Sequence, residues 1–146
     1  LTAKIGRRRA FVRENRPFPR LAPPVLKETG MRVVIAEDSE SVRFALRLVL
    51  EYLGHEVVAQ AANGEEAVAA YLRQQPELVV MDVRMPVMDG LASAALLRQL
   101  DPQARVVIVT AGRTTESQAR AAGASGFVEK PFDIATMSRV INHLAA

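Results

Sequence analysis

The chain has 146 residues, 49% of them apolar, with 19 Lys and Arg against 16 Asp and Glu. That length accommodates one domain with a real core and argues against a second, the apolar share excludes global disorder, and no apolar run nears the roughly 18 residues of a helical membrane span. The absence of cysteine excludes disulfides, thiolate metal sites and a cysteine nucleophile, and fits a soluble protein of the reducing cytoplasm.

The net charge of +3 joins two unlike parts. Residues 1–30 hold eight basic residues against Glu14 and Glu28, a net of +6, whereas residues 31–146 hold 11 against 14, a net of −3. The basic balance thus describes an arm on a mildly acidic domain and is weak ground for nucleic-acid binding by the domain itself. The arm lacks periodicity and contains Pro17, Pro19, Pro23 and Pro24 before Gly30, which predicts a flexible or extended segment. No apolar stretch follows its basic residues, so it is not a secretory signal. Regular patterning begins at Met31, and we expect the functional start there, with the arm as upstream or added sequence. The rival reading is a basic tether for an acidic partner or nucleic acid.

From Met31 onward, strands and helices alternate. Short β-branched runs predict strands near 32–36, 56–60, 78–82, 105–110 and 126–129. Val42, Ala45, Leu46, Val49, Leu50 and Leu53 form one apolar stripe of a first helix, capped by Asp38 or Ser39 and ended by Gly54. Asn63 caps the second helix, with Glu65 and Glu66 in its first turn, where the helix dipole favours negative charge. The third runs from Leu91 to Leu100 behind a turn at Asp89-Gly90, and the fourth from Thr114 to Ala122, closed by Gly123. Asp133 caps the fifth, whose predicted buried stripe is Ile134, Met137, Val140, Ile141 and Leu144. His55 and His143 read as solitary, solvent-facing residues, and Met81, Met85 and Met88 as packing.

This (βα)5 alternation, with strands apolar on both faces, predicts an α/β fold: a doubly wound, parallel five-stranded sheet between two helical layers. Right-handed crossovers make the flavodoxin-like strand order 2-1-3-4-5 the economical topology. In that order the first and third strands meet at the switch point, and their carboxyl ends carry Glu37, Asp38 and Asp82. The fourth strand ends at Thr110, and Lys130 follows the fifth.

Three carboxylates in one crevice repel one another, each pair at about 4 Å by about 4 kcal/mol at an effective dielectric near 20. Such a cluster protonates or recruits a cation, and oxygen ligands without His or Cys select a hard ion such as Mg²⁺. Asp82 is then placed to act as a carboxylate nucleophile toward phosphorus, with Lys130 as a fixed positive charge and Thr110 as a hydroxyl donor. Taken singly, each has a plainer reading: Asp38 as a helix cap, Asp82 as an acceptor for loop amides, Thr110 as a strand-end threonine, Lys130-Pro131 as a turn.

Together these residues carry a family resemblance. Glu37-Asp38, the block from Met81 to Gly90 (MDVRMPVMDG), Thr110-Ala111 and Lys130-Pro131-Phe132 stand in order, each at a strand end, and the chain from Met31 onward resembles the receiver domain of two-component response regulators. The resemblance implies Asp82 as phosphoacceptor, and Mg²⁺ held by Glu37, Asp38, Asp82 and the backbone carbonyl of Arg84. It also implies Lys130 pairing with the phosphoryl group through a cis bond to Pro131. Thr110 and Phe127 take the switch positions, coupling phosphorylation to the face made by the fourth helix, fifth strand and fifth helix. Arg84 and Gly112 occupy positions that tune aspartyl-phosphate hydrolysis.

The expected function is a stand-alone response regulator that catalyses its own phosphorylation and dephosphorylation but is not otherwise an enzyme. Its partners would be a histidine kinase or phosphotransfer protein, a downstream protein on the switch face, and a second copy in a phosphorylation-dependent dimer. A receiver fragment of a larger transcriptional regulator is one alternative, and a nucleic-acid binder acting through the basic arm is another. An aspartate-nucleophile phosphatase is a third, although Arg84 stands where such enzymes place a second carboxylate. A flavodoxin-like cofactor site is disfavoured, because acidic Glu37-Asp38-Ser39-Glu40 would repel a phosphate at the first strand.

Overall fold

The computed structural model describes residues 30–145. The predicted arm, save Gly30, lies outside the described residues. Five parallel strands, β1 (Arg32–Ala36), β2 (Glu56–Ala61), β3 (Leu78–Asp82), β4 (Val106–Thr110) and β5 (Gly126–Glu129), form one sheet in the order β2-β1-β3-β4-β5. The helices are α1 (Glu40–Tyr52), α2 (Gly64–Gln74), α3 (Gly90–Leu100), α4 (Glu116–Ala121) and α5 (Ile134–Ala145). No described helix is long and apolar enough to cross a membrane.

Strand side chains alternate between the two faces, and the core divides accordingly. Val34, Ala36, Val79, Met81, Val106 and Ile108 meet Ala67, Tyr71, Ala94, Leu97 and Ala119 of α2, α3 and α4. Val33, Ile35, Leu78, Val80, Val107 and Val109 meet Leu46 and Leu50 of α1 and Met137 and Ile141 of α5. Both sheet faces are covered, which is why the strands read as continuous apolar runs. Met81 and Met85 are buried and Met88 packs against the first cluster, as expected of packing residues.

Caps set the helix boundaries. Ser39, rather than Asp38, caps α1 through its side chain, and Gly54 closes it at φ +93°, a conformation open to glycine. Asn63 and Asp89 cap α2 and α3, and Asp133 Oδ1 accepts from the Thr136 amide at the start of α5. Three expectations need correction. The fourth helix is shorter than Thr114–Ala122, because Thr115 and Gln118 form a reciprocal capping box that fixes its start at Glu116. Ile134 is 42% exposed, since the inward stripe of α5 begins only at Met137. His55 is buried, not solvent-facing, and its Nδ1 accepts from the Met31 amide at 3.0 Å; His143 is exposed as expected.

Candidate functional site at the carboxyl edge of the sheet

β1 pairs with β2 on one side and β3 on the other, so the chain leaves β1 into the crevice where an open α/β sheet binds ligands. Glu37 follows β1, and its amide donates to the Ala61 carbonyl of β2 at 2.9 Å. Asp82 is the last residue of β3, in register with Val109 of β4. The loop beyond it doubles back tightly: the Gly90 amide donates to Val83 O at 2.8 Å, and a side chain at Gly90 would strike the Asp82 carbonyl at 2.0 Å. Asp89-Gly90 is therefore a turn opening α3, as read from sequence.

One carboxylate oxygen from each of Glu37, Asp38 and Asp82 lies within 4.8 Å of the others. Glu37 is 1% and Asp82 6% exposed, while Asp38 faces solvent. Into this group comes Lys130, whose Nζ donates to Glu37 Oε1 at 2.7 Å and lies 3.5 Å from Asp82 Oδ1. Its strand is tied to the next by the Lys130 amide, which donates to the Thr110 carbonyl at 2.8 Å. Lys130–Pro131 is cis, as anticipated.

Burial pushes the Asp82 carboxyl above the usual aspartate range, against the charge of Lys130 and the Val83 amide, while Asp38 adds repulsion. Glu37 is likewise raised, chiefly by burial, with the Lys130 and Ser39 hydrogen bonds opposing. One ammonium thus faces a cluster of three acidic groups. The donor set is all oxygen, without His or Cys, which fits a hard divalent cation such as Mg²⁺.

The remaining predicted residues surround this group at different depths. Thr110 is buried at the end of β4, beside the fifth strand that delivers Lys130. Phe127 pairs with Ile108 in register and packs, half-buried, against the α2–α3–α4 cluster. Arg84 is exposed and its guanidinium folds onto Gly112: Nη2 lies 3.1 Å from where a side chain at Gly112 would begin. Sequence reasoning missed Arg43, whose Nη1 donates to the Glu37 carbonyl at 2.6 Å. The one signal for it is a basic residue placed one turn into α1, within return reach of the strand end.

The family model of the response regulator receiver domain matches residues 33–142. The chemotaxis protein CheY of Bacillus subtilis (strain 168) is 37% identical over 113 residues, covering 76% of this chain and 94% of that protein. The transcriptional regulatory protein PdtaR of Mycobacterium tuberculosis (strain ATCC 25618 / H37Rv) is 38% identical over 110 residues, covering 73% of this chain and 52% of that protein. Among solved structures, the CheX–CheY–BeF3–Mg²⁺ complex from Borrelia burgdorferi aligns with a TM-score of 0.75 at 28% identity, covering 79% of this chain and 89% of that one.

Proposed function

The chain belongs to the response regulator receiver domains, and on that premise we propose that it is a phosphorylation-driven switch whose acceptor is Asp82. The observation that carries this reading is the single ammonium of Lys130 set between Glu37, at 2.7 Å, and Asp82, at 3.5 Å, within a cluster of three acidic groups. A carboxylate nucleophile beside a fixed cation is the arrangement that phosphoryl transfer needs, since positioning and charge compensation do most of the work.

An Asp82 carboxylate oxygen attacks phosphorus, an O–P bond forms, and the donor leaves with the electron pair of its own bond to phosphorus. Lys130 shifts its ammonium from the carboxylates toward the new phosphoryl oxygens, and the Thr110 hydroxyl donates to one of them. Glu37, Asp38, Asp82 and the Arg84 carbonyl would hold Mg²⁺, which supplies charge neutralisation for the incoming dianion. The relative from Borrelia burgdorferi, seen with Mg²⁺, BeF3 and CheX, supports both the metal and signalling through a protein partner.

Inward movement of Thr110 draws Phe127 with it, and the face of α4, β5 and α5 changes shape for a downstream protein or a second copy. Reversing a 1:99 preference to 99:1 takes about 5.5 kcal/mol of differential stabilisation, which new charged contacts at the phosphoryl group would supply. The upstream partner is a histidine kinase or phosphotransfer protein, and the working compartment is the cytoplasm. A phosphatase acting on external substrates is disfavoured by Arg84, which offers no carboxylic acid to protonate a leaving group.

Incubation with a small phosphodonor and Mg²⁺, followed by intact mass, tests the reading. One phosphoryl adduct is expected, absent in Asp82→Asn and absent without the metal; an adduct that survives Asp82→Asn would refute the assignment.

A further inference from the structure

We infer that Arg43 is a positioning residue for the acidic notch, holding the β1–α1 turn so that Asp38 and Glu37 face one cation. The inference rests on the reading of the notch as a magnesium site and extends it to a residue outside the carboxylate group.

Glu37 is gripped at every polar group it owns. Its amide donates to Ala61 O at 2.9 Å, Oε1 accepts from Lys130 at 2.7 Å, and Oε2 accepts from the Ser39 amide at 3.0 Å. The carbonyl is taken by Arg43 Nη1 at 2.6 Å. Ser39 in turn caps α1, its Oγ accepting from the Val42 amide at 3.4 Å, and its carbonyl accepts the Arg43 amide at 2.8 Å. The result is a closed ring: Glu37 to Ser39, Ser39 into α1, α1 to Arg43, and Arg43 back to Glu37. Asp38 is the one residue between Glu37 and Ser39 on that ring, and it is the exposed member of the acidic trio.

Arg43 meets the notch through the main-chain carbonyl of Glu37, while the carboxylate oxygens of that residue are taken by Lys130 and the Ser39 amide. Its effect passes through the backbone, as outer partners of metal ligands do when they fix ligand orientation. The side chain is half-buried and borders an open depression with Phe44, Arg47 and Gln60, so truncating it opens no closed void.

The test is magnesium binding by calorimetry, together with amide hydrogen exchange of the metal-free protein, for the full chain and its Arg43→Ala, Arg43→Met and Arg43→Lys variants. Arg43→Met keeps the aliphatic stem and covers the case in which Arg43→Ala does not fold. Both truncations are expected to weaken magnesium about tenfold, the low end for loss of an outer partner. They should also speed exchange at the Ser39 amide, and both effects should be rescued in large part by Arg43→Lys. Native magnesium affinity with native Ser39 exchange in Arg43→Met would overturn the inference. If the unaltered chain bound no magnesium, the metal reading would fail instead, and Ser39 exchange in the metal-free protein would still decide the role of Arg43.

Discussion

The two edges of the sheet are built to opposite specifications. At the amino edge donors meet acceptors one by one: the Met31 amide donates to buried His55, the Arg32 amide to Glu77 Oε1, and the Arg32 guanidinium to the Gln74 and Gln75 carbonyls. Gly30 and Gly54 approach so closely that a side chain on Gly30 would strike the Gly54 carbonyl at 1.8 Å. At the carboxyl edge, Glu37 and Asp82 share a single lysine beside exposed Asp38, and burial raises the titration of the Glu37 and Asp82 carboxyls. The first edge stores stability and the second consumes it. Sites under such tension are where chemistry is expected, and the rest of the fold offsets their cost.

The amino edge should break hardest. His55→Ala removes the acceptor for the Met31 amide and opens a hole under a residue that is 6% exposed, for a loss of about 2–3 kcal/mol in urea unfolding. Burial also lowers the His55 imidazole below its ordinary range. Its folded form therefore binds a proton less readily than its unfolded form, and stability rises with pH across that window. The contribution is complete above the unfolded value, near 6.5, and is lost as the pH falls toward the folded one. Urea midpoints of the native chain should drop between pH 7 and pH 5 by more than those of His55→Ala; equal drops would remove this role.

The carboxyl edge should respond with the opposite sign. Asp82 is raised, so its folded form binds a proton more readily, and the penalty grows as pH climbs from the unfolded value through the folded one. Asp82→Asn removes a buried charge while Glu37 keeps its hydrogen bond to Lys130. Stability at pH 7 is expected to rise by about 1 kcal/mol, and to rise less in acid. A destabilised Asp82→Asn would mean that the ion pair with Lys130 outweighs desolvation and repulsion, and that the contrast between the edges is false.

Much of this was legible because parallel strands buried on both faces must be apolar throughout, so Val33-Val34-Ile35 and Val106-Val107-Ile108-Val109 stand out in any window. The site was legible for a related reason: Asp82 and Thr110 each interrupt an apolar run where the strand stops, and Lys130 stands just past the last strand, before Pro131. What escaped depends on tertiary partners. His55 looks like a surface residue until the Met31 amide is seen to need an acceptor, and Ile134 looks like core until the phase of α5 is fixed by Met137 and Ile141. Arg43 sits beside the apolar stripe of α1, and no periodicity marks a side chain that turns back to its own strand end. The start of α4 was hidden in a side-chain exchange between Thr115 and Gln118.

Backbone conformation gives the finest comparison, because among the described residues each edge holds one non-glycine residue at positive φ. Gln75, after α2 on the amino side, has φ +46° and serves as a left-handed helix stop. Val87, in the loop after Asp82, has φ +70° and is 75% exposed. A β-branched residue is poorly suited to that region, and its exposure brings little packing in return. Val87→Asn, which tolerates the conformation, should therefore stabilise the chain by about 1 kcal/mol. Gln75→Asn should gain only a few tenths, since an unbranched side chain at a helix stop carries less strain. Equal gains in urea unfolding would show the strain to be general to left-handed positions. A larger gain at Val87 would place it with the crowded carboxylates, as a second cost concentrated in the loop that presents Asp82.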